Sequence, residues 1–252
     1  MKGVILAAGA STRLRPLTDQ VPKCLLEVGE KPILGRTLEC LLVNGVTEVV
    51  IVTGYREVQI RDYVRGQFPN LAVTWLSNDQ YASTNNIYSL WLTRGSVSDQ
   101  DVLLLDSDIV FDSRIIGLLL TAGHENCLAV TRDKSLGHEE IKVRTDREGG
   151  IVEIGKGVSL DKASGESIGI EKFGRAFIGR LFTVLDRKIL LEKSVNQFYE
   201  AAFQEVIDGG ETIVAVNVGD LPCMEIDTAE DLETARAMIA ARIPTTGARG
   251  GG

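Results

Sequence analysis

Gly3-Val-Ile-Leu-Ala-Ala-Gly9-Ala-Ser-Thr-Arg13-Leu-Arg-Pro-Leu-Thr18, followed by Val21-Pro-Lys23, is the stretch from which the rest of the chain is read. Val4, Ile5 and Leu6 form a short aliphatic run, the pattern of a strand buried on both faces. Ala7, Ala8 and Gly9 then leave a backbone with almost no side-chain bulk, so its N–H groups can come close to phosphate oxygens. Arg13, Arg15 and Lys23 add positive charge just beyond. The stretch reads as a triphosphate cradle with a cationic lid. It is neither of two better-known phosphate loops: no Gly-Lys-Ser/Thr closes the turn, and no Gly-x-Gly-x-x-Gly is present.

Downstream, strand and helix patterns alternate. Lys31-Pro32 opens a helix with Ile33, Leu34, Leu38 and Leu41 on its apolar face, stopped at Asn44-Gly45. Glu48–Thr53 is a second buried strand, Glu57–Arg65 a helix and Leu71–Leu76 a third strand. This order argues for a mainly parallel sheet covered on both faces, a three-layer α/β/α fold of Rossmann-like type. Asp101 to Leu105 is a further strand running into Asp106 and Asp108, two carboxylates at the carboxyl edge of the sheet. Cys127–Thr131 follows, and then the pattern changes. Ile141–Thr145, a polar turn over 146–150, and Ile151–Ile154 read as a hairpin, with Ile168–Phe173 as another short strand. Residues 132–178 are therefore expected to form a small antiparallel lobe over the active edge. Helices over 180–193 and 197–208 and a strand over 212–218 lead to a last helix. Asp227 is placed to cap it, with Glu230 at the capping-box position. Residues 1–243 read as one domain, and the Gly/Thr-rich tail over 244–252 as disordered.

Composition narrows the function. A net charge of −8 among 252 residues argues against a nucleic-acid partner. Four scattered cysteines without metal-ligand spacing read as reduced thiols, and no apolar run reaches the length of a membrane span. A cytoplasmic protein without a membrane partner is expected. Oligomeric state is left open, a homodimer being one option.

The motif Leu6-Ala-Ala-Gly-Ala-Ser-Thr-Arg13-Leu with Pro22-Lys23 resembles the signature of the nucleotidyltransferases that join an NTP to a phosphorylated small molecule, the sugar-1-phosphate nucleotidylyltransferases among them. It is more similar to the cytidylyltransferase branch acting on phosphocholine, aminoethylphosphonate or inositol phosphate. Many sugar-1-phosphate enzymes carry Gly-x-Gly-Thr-Arg where this chain has Gly9-Ala-Ser-Thr-Arg13. The resemblance covers Met1 to about Ala241 and implies the nucleotide-diphospho-sugar transferase type of fold.

It also implies roles. Leu6, Ala7, Ala8, Gly9, Ser11 and Thr12 would cradle the nucleotide, Arg13 would hold the leaving pyrophosphate, and Lys23 would bridge the α-phosphate and the acceptor. The second aspartate of Asp106-Ser-Asp108 would hold a catalytic Mg²⁺ together with Asp227, leaving Asp106 just behind. For Asp227 the metal competes with the helix cap. The segment Asn78 to Leu90 is similar to the region that reads the pyrimidine. Asn78 and Asn85 are the candidates, with Thr84 beside them, since an amide both donates and accepts. An amide can reorient, so residue type alone does not choose cytosine over uracil or thymine. Lys156 lies where related enzymes put a lysine on the acceptor phosphate. Glu140, Glu171 and Glu200, with Tyr199, are candidates for the acceptor's other end. The reaction expected is CTP plus a phospho- or phosphono-acceptor giving a CDP conjugate and pyrophosphate. The rivals are a sugar-1-phosphate enzyme using dTTP, UTP or GTP, and an inactive nucleotide-binding regulator.

Overall fold

The computed structural model describes residues 1–132 and 137–241. The tail expected over 244–252, and the end of the domain at 243, lie outside the described residues. In chain order the elements begin with β1 (Lys2–Ala7), a ribbon of β2 (Glu27–Val28) and β3 (Lys31–Pro32), α1 (Ile33–Val43), β4 (Glu48–Thr53), α2 (Glu57–Gln67) and β5 (Ala72–Ser77). Then come α3 (Asn86–Leu92), the single turn α4 (Arg94–Val97), β6 (Val102–Asp106), β7 (Ile109–Phe111), α5 (Arg114–Thr121) and β8 (Cys127–Thr131). The second half holds β9 (Lys142–Thr145), β10 (Ile151–Gly155), β11 (Gly165–Phe173), α6 (Arg175–Asp186), α7 (Glu200–Asp208), β12 (Val214–Asn217), β13 (Cys223–Glu225) and α8 (Ala229–Ala240).

Among the described residues nine strands form one sheet along the order β10-β9-β11-β6-β1-β4-β5, with β8 beside β11 and β12 beside β8. The β6-β1-β4-β5 block is parallel. Its strands are aliphatic on both faces because helices cover both. One face packs on α3, α6 and α7, through residues such as Leu90, Phe177, Leu181 and Phe203. The other packs on α1, α2 and α5, through Leu34, Leu38, Ile60 and Ile115. The architecture is the three-layer arrangement read from the alternation. Side chains of this size stabilise by roughly 1.5–3 kcal/mol each when fully buried. The Phe173 and Phe177 rings stack at 4.5 Å between β11 and α6.

The lobe expected over 132–178 divides. Its hairpin, β9 and β10, is antiparallel as read and extends the sheet. The strand read at Ile168–Phe173 is not part of a separate lobe. It is the end of the longer β11, whose Ile170–Phe173 pairs antiparallel with β6 inside the main sheet. The register of β11 against β8 shifts between Ser167 and Glu171, and Gly169 sits there at φ +69°. Such a bulge re-aims the strand, and it lets β11 leave β9 and join β6. Residues 175–178 already belong to α6, which starts five residues before the helix read from 180 and continues as a π-helical turn over Arg187–Leu191. Residues 133–136 lie outside the described residues.

Two short strands carry no periodicity and escape a reading of the sequence. β7 and β13 pair antiparallel, Glu225 opposite Ile109, and tie α8 to the edge where β6 ends. The cap of α8 also differs by one residue. Thr228 is the N-cap and forms a capping box with Asp231, not Asp227 with Glu230. Asp231 fits because its carboxylate accepts from the N–H of Thr228 at 2.7 Å. Among the described residues no helix is long and apolar enough to cross a membrane.

Candidate active site

A cavity of about 540 Å³ opens over the carboxyl ends of the parallel strands, where ligands bind in open α/β sheets. One wall is the turn after β1, with Leu6, Ala7, Ala8, Gly9, Ser11 and Thr12. A Cβ placed on Gly9 would meet nothing within 4 Å, so packing inside the protein does not demand glycine there. The open space is available to a ligand. The turn is pinned from behind: Tyr55 N–H donates to Ala8 O at 3.0 Å, and a Cβ on Gly54 would come within 2.8 Å of the same oxygen. Ser11 takes a left-handed conformation at the start of a 3-10 turn, Thr12–Leu14, and the buried Leu14 anchors it.

At the other end of the turn four charged groups interlock. Lys23 is buried, and its Nζ donates to Asp108 Oδ2 at 2.7 Å and to Asp227 Oδ1 at 2.8 Å. Arg13 pairs with the second oxygen of Asp227 at 2.8 Å. Burial alone would lower the Lys23 amine, but Asp108 and Asp227 outweigh it and hold it above its ordinary value. Burial likewise opposes ionisation of Asp227, and Lys23 with Arg13 reverse that and keep its carboxyl below the usual range. Because Thr228 caps α8, Asp227 has its carboxylate for this cluster.

Glu225, which the sequence reading missed, completes an acidic triad. Oxygens of Asp108, Glu225 and Asp227 all lie within 4.8 Å of one another. Burial, then the charges of Asp108 and Asp227, push Glu225 up to about 7. The signal was there in the i, i+2 spacing of Glu225 and Asp227, which puts both on one side of an extended segment. It needed the β7–β13 pairing to bring Asp108 beside them. Three acids around a cation are a donor set that suits a hard divalent ion. Cys24 also lines the cavity, but burial pushes its thiol up to about 12, so it stays protonated.

The polar segment after β5 forms another wall. Asn85 is the N-cap of α3, its Oδ1 accepting from Asn86 N–H at 2.7 Å, and Thr84 and Asn85 both line the cavity. Asn78 lines it too but is 1% exposed, and its amide is committed to the loop. Its Nδ2 donates to Thr84 and Ser89, each at 3.1 Å, and its Oδ1 accepts from Gln80 N–H. Asn78 therefore holds the wall in shape rather than offering a free amide to a base. Asn85, half-buried in the cavity wall, is the better-placed amide.

The far side holds Asp106, Glu140, Lys156 and Glu200. Two further residues read as contacts do not line the cavity. Tyr199 is fully buried against Phe203, and Glu171 is 1% exposed on β11. Their side chains lie beneath the floor because β11 runs inside the sheet, not over it. The Tyr199 hydroxyl donates to Asp106 Oδ2 at 3.0 Å. Burial, followed by the neighbouring acids, raises Asp106 and Glu171 well above the ordinary carboxylate range.

Residues 3–144 match the profile of the MobA-like NTP transferase domain. The chain belongs to this nucleotidyltransferase family. It is similar to a CTP:phosphoglutamine cytidylyltransferase of Campylobacter jejuni, 29% identical over 254 residues that span 92% of this chain and 98% of that protein. A choline-phosphate cytidylyltransferase of Streptococcus pneumoniae is 38% identical over 107 residues, 42% of this chain and 45% of that one. The fold superposes on an inositol-1-phosphate CTP transferase from T. maritima with a TM-score of 0.79, at 22% identity and over 95% and 94% of the two chains.

Proposed function

We propose that the protein is a Mg²⁺-dependent cytidylyltransferase that joins CTP to a small phosphorylated or phosphonylated alcohol or amine, with release of pyrophosphate. The observation that carries this reading is the cluster at the mouth of the β1 turn, in which Lys23 lies 2.7 and 2.8 Å from Asp108 and Asp227. CTP is favoured because the Campylobacter relative, aligned over 92% of this chain, is a CTP enzyme by its name.

The residues fit the ion. Asp108 and Asp227, with Glu225 close by, would hold Mg²⁺, and the placement of the Lys23 ammonium between two of them marks a spot built for positive charge. Bound there, Mg²⁺ would offset phosphate charge, since this ion usually takes one or two carboxylates and fills its shell with phosphate oxygens and water. The rest is done by the chain. The small-residue turn after β1 accepts the triphosphate, and Arg13 holds the pyrophosphate as it leaves. Lys23 draws the acceptor phosphate and the α-phosphate together. An oxygen of the acceptor attacks the α-phosphorus and the α–β bridging bond breaks. A phosphomonoester carries about −1.5 to −2 charges at neutral pH, so no base is needed to activate it. Catalysis then consists mainly of positioning and charge neutralisation.

A matrix of CTP, UTP, dTTP and GTP against phosphorylated amines, alcohols and sugar 1-phosphates, read by pyrophosphate release with and without Mg²⁺, tests the proposal. Turnover only with a sugar 1-phosphate, or with none of the pairs, would sink it.

A further inference from the structure

Beside the metal-side triad, whose Asp108 and Glu225 act on Asp106, a second acidic group underlies the acceptor end of the cavity. Asp106 ends β6, Glu171 lies on β11 and Glu200 is the first residue of α7. Tyr199 joins two of them, its hydroxyl 3.0 Å from Asp106 Oδ2 and 3.4 Å from Glu171 Oε1. The Tyr199 hydroxyl reaches Asp106 and Glu171 but makes no hydrogen bond to Glu200. Glu200 lines the cavity although it is only 5% exposed, and its buried Oε2 has no hydrogen-bond partner among the described residues. Glu171 Oε2, behind it, is in the same condition. Buried acceptors of this kind are rare because desolvation goes uncompensated. Among the described residues the cation that acts on Glu200 is Lys156, yet Lys156 is paired with Glu139 at 3.0 Å and lies over the Phe198 ring at 4.8 Å. Among the described residues the acids close enough to share a metal ion are Asp108, Glu225 and Asp227, so this second group is not built as a metal cage.

We infer that the acceptor carries a primary ammonium, which donates to Glu200 and sits over the Asp106–Glu171 pair while its phosphate or phosphonate faces Lys156 and Lys23. The inference rests on the cytidylyltransferase reading for the position of the phosphate. A quaternary ammonium fits less well. It has no N–H to give to Glu200, and it is recognised by aromatic cages. Here Tyr199 is sealed beneath the floor and Phe198 already carries Lys156 on its face.

Binding, not turnover, decides. The protein is titrated calorimetrically with 2-aminoethyl phosphate, 2-aminoethylphosphonate, phosphocholine and ethyl phosphate, in the presence of an α,β-methylene analogue of CTP that blocks transfer. The two primary amines should bind at least tenfold tighter than phosphocholine and ethyl phosphate. Glu200→Gln, checked for folding by its thermal melt, should erase that preference and leave ethyl phosphate binding as it was. If ethyl phosphate or phosphocholine binds as tightly as the amines, or none of the four binds, the inference is overturned, and the wild-type comparison alone is enough to show it. Failure of the cytidylyltransferase reading has a different sign: no pyrophosphate from CTP with any acceptor, whatever the binding order.

Discussion

Replacing Lys23 by alanine removes the one ammonium that bridges Asp108 and Asp227, and the structure sets the size of the effect. The Lys23 side chain is 8% exposed, and its partners are 24% and 28% exposed. Breaking a buried ion pair by deleting one partner costs about 3–5 kcal/mol, because the remaining charge stays buried without a counter-ion. The carboxylates retain some contact with water, and Arg13 still pairs with Asp227, which puts the loss at the lower end, about 3 kcal/mol. For a chain of this length each kcal/mol lowers Tm by about 2–4 °C, so a fall of about 6–12 °C is expected in EDTA. Added Mg²⁺ should restore much of it, since an ion that binds only the folded state stabilises it by mass action. Turnover should fall about a hundredfold, as when one preorganised donor is removed from a transition state, roughly 3 kcal/mol. CTP affinity should fall much less, because the β1 turn still holds the triphosphate. The assays are thermal melts with and without Mg²⁺, beside CTP dissociation constants and single-turnover rates. A melt and a rate both unchanged would mean that Lys23 is an ordinary lysine. Equal losses in binding and rate would mean that it only grips the nucleotide.

Three further outcomes are expected. Asp108→Asn should stay folded, with a melt lowered less than that of Lys23→Ala because Asp227 still answers the Lys23 ammonium, while losing about a hundredfold or more of its Mg²⁺-dependent pyrophosphate release; near-normal activity would remove Asp108 from the metal assignment. Gly169→Ala puts a Cβ 2.8 Å from Asp106 Oδ2 and 3.0 Å from Ile109 at φ +69°; strain and overpacking together should cost roughly 2–4 kcal/mol, and an unchanged Tm would contradict it. Burial pushes the Glu200 carboxyl from 4.5 up to about 7, beside Lys156, Asp106, Glu171 and Tyr199. Between those values the unfolded chain has released the Glu200 proton while the folded chain keeps it, so this group's contribution makes stability fall as pH rises through that window. Denaturant melts of Glu200→Gln should lack that part of the slope and exceed the parent by up to about 3 kcal/mol near about pH 8; a matching pH slope would refute the burial argument.

Much of the frame was legible because its signals are local. β4 falls on Glu48–Thr53 as read, since an aliphatic run between polar ends has few alternatives. The β9–β10 hairpin follows from two short apolar runs around a polar turn. What escaped depends on partners far away in the chain. β7 and β13 are three residues each and are strands only because they find each other. The second half of β11 looked like lobe because its alternation is compatible with an exposed hairpin. Its place beside β6 is fixed by the bulge at Gly169, and one glycine in a strand does not say which neighbour it frees the chain to meet.

The site divides along the same line. Arg13, Lys23, Asp108 and Asp227 could be picked out because each closes a recognisable segment, and the structure brings them within ion-pair distance of one another. Tyr199 and Glu171 were misplaced for a physical reason: a carboxylate on a strand is normally turned to water, and burying it is costly unless something answers its charge. Alternation along β11 puts Glu171 on the same side as Phe173, toward the core that Tyr199 and Phe203 fill. Read by pattern, that side is apolar and an acid there is an error. An acid kept in that position, with one oxygen unmatched and Glu200 unmatched beside it, breaks the local rule where a ligand cavity lies above. Local rules fail in natural proteins chiefly at functional sites. Glu171, kept where an apolar residue would pack, thus points to the ligand cavity above it.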